Sequence, residues 1–287
     1  MDATRNMLTQ HRGLIINILY IVVASIVLYY IYMALFSSSD NEVALLEAEI
    51  NANPNRPRIL ALPAANDTIR VKQGGVYTIS FWMYITSWDF RSGLAKSVLQ
   101  ISDSNVAAND LLSVILYPNE PKLMVRVHND GNTDTATDYT NKATYNALFR
   151  NSANANITTP SGQMPMCDVQ DIDMQRWINI TISVNGRIVD VYYDGKLNRS
   201  CVLPGVPTAS DAGKQTITLA NNGGFFGKIS GVQFFGYPLT PDRVYAIYQI
   251  GPSAPTTFLG YLLEKVGLNV KYSGYGVGVD KALIGTI

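Results

Sequence analysis

Few residues in this chain have the type and spacing that catalysis needs. Glycosidases use paired carboxylates on either side of the sugar bond, often as an E-x-D-x-E run on one strand. Beyond residue 50 the only glutamates are Glu120 and Glu264, and Asp190 and Asp194 are separated by a strand and a turn. A phosphate loop fails because Gly227-Lys228 is followed by Ile229, where Ser or Thr should hold magnesium. A hydrolase triad would depend on His128, which alternates with the apolar residues of a strand, and no nucleophile-elbow motif accompanies it. With two cysteines and two histidines, a Cys/His zinc site lacks ligands. The reading is of a chain that is not an enzyme and carries no cofactor.

Three weaker constellations remain. Asp130, Asn132, Asp134 and Asp138 supply oxygen ligands of the kind calcium takes, but no glycine stands where an EF-hand loop needs one. The plain alternative is a solvated polar loop. Trp88, Phe90 and Arg91, with Asp89 between them, form a loop candidate for sugar stacking or partner docking. Cys167 and Cys201 flank a central hairpin, so a disulfide there would clamp its ends; two buried thiols are the alternative. Trp82 and Trp177 are expected in the core between two sheets. Sequons stand at Asn66, Asn156, Asn179 and Asn198, with Asn179 inside a strand and so inert.

The elements positioning these residues are strands. Val76–Ile85 alternates with period two, as a half-buried strand does. Asp67–Lys72 and Val98–Ser102 are predicted short strands, and Leu111–Leu116 with Leu123–His128 is a hairpin around Pro118-Asn119-Glu120-Pro121. Trp177–Val184 turns at Asn185-Gly186 into Arg187–Tyr193, a strong hairpin signal. Asp194-Gly195 then leads into Lys196–Val202. Strands at Thr216–Ala220 and Ile229–Phe235 precede a short helix over Pro241–Ile250. Such turn punctuation predicts an all-β, two-sheet jelly-roll sandwich. The interval Asn129–Met166 is long, polar and poorly periodic.

The N-terminal part differs in kind. No charge occurs between Leu14 and Phe36, and a helix of that length is about 35 Å, enough for a hydrocarbon core of about 30 Å. Tyr29, Tyr30 and Tyr32 gather toward one end, as in an aromatic belt. A cleaved signal peptide fits badly, since the apolar stretch is too long and no small-residue cleavage site follows. Arg5 and Arg12 before the span weakly favour a cytoplasmic N-terminus. Ser39-Asp40 and the following NEVALLEAEI read as a capped short helix, broken at Pro54 and Pro57. A zero net charge gives no basic field for nucleic acid.

Three segments resemble the laminin-G-like, concanavalin-A-like jelly-roll superfamily: YTISFWMYI at Tyr77–Ile85, RWINITISVNGRIVDVYYDGKL at Arg176–Leu197, and NGGFFGKISGVQFFGYPLTPDRVYAIY at Asn222–Tyr248. With the anchor, CDVQDIDMQRWINITISV and DGKLNRSCVLPGVP are similar to virion proteins of large double-stranded DNA viruses with an internal membrane. That resemblance implies a minor capsid protein joining the viral membrane to other shell proteins. The alternative is a membrane-displayed glycan-binding or adhesion module. The expected layout is a tail over 1–13, a transmembrane helix over 14–36, a stalk over 37–57, the jelly roll over 58–250, and a Gly-rich apolar tail over 251–287. That tail, from Phe258 on, is read as an edge strand of its own domain or of a neighbour.

Overall fold

A computed structural model describes residues 12–36, 41–53, 56–62, 69–105, 109–131, 143, 167–210 and 214–252. Helix α1 (Arg12–Phe36) is followed by strands β1 (Glu42–Leu46), β2 (Ile50–Asn51), β3 (Arg58–Ala61), β4 (Val76–Ser87), β5 (Lys96–Asp103), β6 (Asp110–Leu116) and β7 (Leu123–Val127). After the long polar interval come β8 (Trp177–Asn185), β9 (Ile188–Tyr193), β10 (Lys196–Val202), β11 (Gln215–Leu219), β12 (Phe226–Phe235) and helix α2 (Pro241–Ile250). Two antiparallel sheets form a sandwich. A seven-stranded sheet runs β1-β12-β4-β8-β9-β10, with β2 also on β12, and a five-stranded sheet runs β3-β11-β5-β6-β7.

Period-two patterning explains the core. Tyr77, Ile79, Phe81, Met83 and Ile85 of β4 point inward with Ile178, Ile180, Ile182 and Val184 of β8. They meet Leu99, Ile101, Leu112, Val114, Val125 and Ile217 of the opposite sheet. Of the outward residues of β4, Thr78, Ser80 and Trp82 are buried as well, because α2 covers that part of the face. Phe235, Tyr192, Leu239, Val244 and Ile247 make a second small core there. The Thr78 hydroxyl ties the helix approach down, donating to the Tyr237 carbonyl (2.9 Å) and accepting from the Leu239 amide (3.1 Å). Ser80 Oγ is 2.8 Å from Thr181 Oγ1 and accepts from Asn179 Nδ2 at 3.2 Å, so these buried polar groups are satisfied.

Three expectations are corrected. Residues 42–46 form a strand, not a helix: β1 pairs with the outer edge of β12, Glu42 opposite Phe235 and Leu46 opposite Val232. Glu, Ala and Leu favour a helix, but the otherwise open edge of β12 outweighs that propensity. The Ala52 amide donates to the Gly227 carbonyl (2.9 Å), so this stretch belongs to the sandwich, which begins near residue 42 instead of 58. The strand expected at Asp67–Lys72 is absent over its described part, 69–72. There Val71 bonds the side-chain amide of Gln215 through both its N–H and its C=O, each at 2.8 Å, in place of a neighbouring strand. Finally, Trp82 and Trp177 lie on the outer face of the seven-stranded sheet, not between the sheets. Trp82 stacks on Tyr248 of α2 (5.7 Å, 18°), and Trp177 meets Tyr84 edge-on (5.7 Å, 61°).

Every described side chain of α1, residues 16–29, is exposed. No helix, taken over its described residues, is long and apolar enough to cross a membrane. The backbone of α1 runs 25 residues, about 37 Å at 1.5 Å per residue. The Ser25 hydroxyl donates to the Ile21 carbonyl one turn back (2.8 Å) and is spent within the helix.

Candidate recognition surface

The strand ladders define two ends of the sandwich. At the near end, where the chain arrives from α1, Glu42, Phe235 and Thr78 lie side by side. At the far end Asn51, Lys228, Tyr84 and Trp177 form the corresponding row. Along β12 seven residues, from Lys228 to Phe235, separate these two rows, about 23 Å at 3.3 Å per residue.

The far end gathers aromatic and charged side chains. Arg176, just before β8, donates to Asp173 through Nε (2.9 Å) and Nη2, to Asp194 Oδ2 through Nη1 (2.7 Å), and to the Tyr193 hydroxyl (3.3 Å). The Tyr193 hydroxyl donates to Asp173 Oδ2 at 2.9 Å. The other Asp194 oxygen accepts from the Asn179 amide (2.8 Å), fixing the 194–195 turn against β8. Hydrogen bonds from Arg176 and then Tyr193 hold the Asp173 carboxyl below the usual carboxylate range. Partial burial works against the Arg176 charge, but its bonds to Asp173 and Asp194 outweigh it and the guanidinium pKa rises. Tyr193 is pushed up to about 12, by burial first and by the Asp173 carboxylate with it. A carboxyl held low and already bonded is the opposite of a general acid. The half-buried Trp177–Tyr84 pair adjoins this cluster, and Lys228 beside Tyr84 pairs with Glu49 at 2.8 Å.

The candidates named from sequence are dispersed. Trp88 packs partly against the main core and is not an open platform; the Lys96 ammonium sits over its ring at 5.4 Å. Phe90 faces Phe226 at 6.3 Å, and both rings keep partial exposure at the far end. The Arg91 guanidinium donates to the Asn222 carbonyl, and burial lowers its pKa. Asp130 Oδ1 accepts from the Val206 amide (2.6 Å), which is structural work. Asn132, Asp134 and Asp138 lie outside the described residues, as do Asn66, Asn156 and the tail from Phe258; among the described residues no group of three metal-ligating side chains occurs. His128 contacts Asn109 at 3.2 Å between Nε2 and Nδ2, a structural contact at the end of β7. Asn179 is fully buried and closed to glycosylation, whereas Asn198 is exposed. Cys167 and Cys201 form a disulfide, their Cα atoms 5.6 Å apart.

Lys96 gives a pH prediction. Its ammonium is buried and donates to the Pro118 (3.0 Å) and Leu94 (3.2 Å) carbonyls. Burial, with help from Arg91 and opposed by Asp89, lowers its pKa to about 8. Between pH 8 and the ordinary value of 10.5 the unfolded chain holds this proton and the native chain does not. Stability should therefore rise with pH across that window, by up to about 3.5 kcal/mol at about 1.4 kcal/mol per unit. Urea midpoints read from pH 7 to 10 should show the rise in the parent and lose it in Lys96→Met.

Neither a protein-family model nor a curated protein sequence matches the chain. Solved structures share only the sheet-rich outline. The botulinum neurotoxin serotype D binding domain is 13% identical with a TM-score of 0.42, over 73% of this chain and 42% of that one. The binding domain of Paraclostridial Mosquitocidal Protein 1 is 16% identical with a TM-score of 0.41, over 70% and 42%. A Trypanosoma rangeli sialidase in complex with 2,3-difluorosialic acid is 8% identical with a TM-score of 0.45, over 74% and 29%. This chain thus spans less than half the length of each, and at these values nothing about ligand or activity passes to it.

Proposed function

We propose that this chain is a non-enzymatic, membrane-anchored structural protein that couples a bilayer to a protein layer through the far end of its sandwich. The observation that carries the reading is α1: an apolar helix of 25 residues, its side chains exposed over 16–29, joined to the first strand within six positions. A helix apolar on all sides is at home in lipid, where its backbone is self-satisfied. The similarity of the Cys167–Val184 and Asp194–Pro207 segments to virion proteins supports a capsid shell as the protein layer, with the anchor in a viral inner membrane.

The far end favours a protein partner over a glycan. Arg176 is committed to two carboxylates and a tyrosine, and Trp177 meets Tyr84 edge-on instead of offering a flat stacking platform. Exposed Arg beside half-buried Trp and Tyr is the usual composition of protein-interface anchors. Glycan binding is the second reading, favoured by the same aromatic pair.

Two measurements test this. Full-length chain in liposomes should float and resist alkaline extraction. Lysines at Ala24 and Val27 should abolish this, since each costs about 2.5–3.5 kcal/mol at a helix centre. After the source membrane is stripped with detergent, the chain should stay with the protein layer. Arg176→Ala with Trp177→Ala should weaken that retention at least about 30-fold, the size of a hot-spot loss. Release with the lipid, together with binding to a defined glycan, would replace the first reading by the second.

A further inference from the structure

At the near end the outer face of the seven-stranded sheet changes character between two adjacent rungs. One rung crosses β4, β8, β9 and β10 as Thr78, Ser183, Asp190 and Ser200, all polar. The last rung on that face is Val76, Asn185, Ile188 and Val202. Its three apolar side chains are 39%, 47% and 63% exposed, and Val206, in the loop after β10, is 40% exposed. The loops are held together there: the Gly186 amide donates to Gly75, the Gly74 amide to Pro207, and the Leu203 amide to Arg187. An apolar row on a surface that alternation makes polar needs a partner.

Cations stand around this row. Arg187, Lys72 and Lys214 are exposed at the same end, and Arg243 borders it. Of the acids there, Glu42 pairs with Arg243 (3.6 Å) and accepts from Tyr237, and Asp130 accepts from the Val206 amide. Among the described residues, Asp190, half-buried on the polar rung, and Asp242, exposed in the first turn of α2, are the other acids near this row. The chain itself limits what can cover the patch. Only residues 37–41 join α1 to Glu42, a reach of about 20 Å at 3.5 Å per residue. Glu42 lies two strands from Thr78, one rung from the apolar row.

We propose that this near end seats on the bilayer surface, Val76, Ile188, Val202 and Val206 entering the interfacial zone and the flanking cations meeting anionic headgroups. The proposal rests on the membrane-anchor reading and adds an orientation: the sandwich rests on its near end and holds the Arg176–Trp177 surface eight residues of β8, about 26 Å, further out. Apolar insertion backed by Lys and Arg is how peripheral surfaces bind anionic lipid.

Added tryptophans test it in the full chain, reconstituted into nanodiscs of phosphatidylcholine with phosphatidylserine. Brominated acyl chains should quench the emission added by Val202→Trp, or by Ile188→Trp, at least twofold more than that added by Phe226→Trp at the far end. Lys72→Glu with Arg187→Glu should reduce that difference. Equal quenching at both ends in a chain that co-purifies with the discs overturns the seating and leaves the anchor intact. A chain that does not enter the discs overturns the anchor reading, and the seating with it.

Discussion

Replacing Asp168 by alanine should destabilise the domain by about 3–5 kcal/mol, because it strands a buried guanidinium. The Asp168 carboxylate is fully buried and receives both terminal nitrogens of Arg126, Nη2 at 3.2 Å, together with the Tyr117 hydroxyl. Arg126 is itself nearly enclosed; burial opposes its charge, and the Asp168 carboxylate outweighs burial to raise its pKa. Removing the acid leaves that opposing cost uncompensated. Replacing the pair together, Asp168→Leu with Arg126→Met, should recover most of the loss, as apolar isosteres commonly do. Urea unfolding of both variants at one pH decides the matter. A loss under 1 kcal/mol for Asp168→Ala would mean that water reaches the guanidinium in solution.

Cleaving the neighbouring disulfide should have an effect of similar size by another route. Cys167 and Cys201 are 34 residues apart in sequence, and the entropic model assigns a loop of that size about 4 kcal/mol. Cys167→Ala with Cys201→Ala should lower the urea midpoint accordingly, and reductant should do the same to the parent and nothing further to the variant. The two effects should couple. Asp168 follows Cys167 directly, and Val169 pairs with Leu123 at the edge of the five-stranded sheet, 2.9 Å in both directions. Charge pair, disulfide and bridge together fasten the chain where it rejoins the sandwich after the long polar interval. Their losses should therefore sum to more or less than the separate values, which a double-mutant cycle would measure.

The sandwich was legible where local pattern and final environment agree. Alternation in Tyr77–Ile85 and the Asn185-Gly186 turn mark β4, β8 and β9 because inward residues and turn geometry are local properties. Residues 42–46 were misread because only the remote edge of β12 makes them a strand. The tryptophans were misplaced for a related reason. Period two says that Trp82 opposes Phe81, but not that α2 would cover the outer face and bury it there. The charged clusters were invisible in sequence, since Arg126 and Asp168 stand 42 residues apart and Arg176 and Asp194 stand 18 apart. The acids of CDVQDIDMQRW were the available hint. Trp88 drew attention as an aromatic in a loop, yet loop membership does not imply exposure, and its ring lies against the core under Lys96.

The pairing of β1 with β12 sets a timetable for biosynthesis. Glu42 meets Phe235, so the first strand of the sandwich cannot find its neighbour until almost two hundred further residues exist. At roughly 5–20 residues per second that wait is on the order of 10–40 seconds. The apolar helix leaves the ribosome before any of the sandwich, so under the proposed anchoring the growing chain would be held at its N-terminus while its central strands stand unclosed. Topologies built from such distant pairings fold slowly and expose strand edges meanwhile. Nascent chains halted before residue 226 should therefore engage holding chaperones, and chains released past residue 235 should shed them.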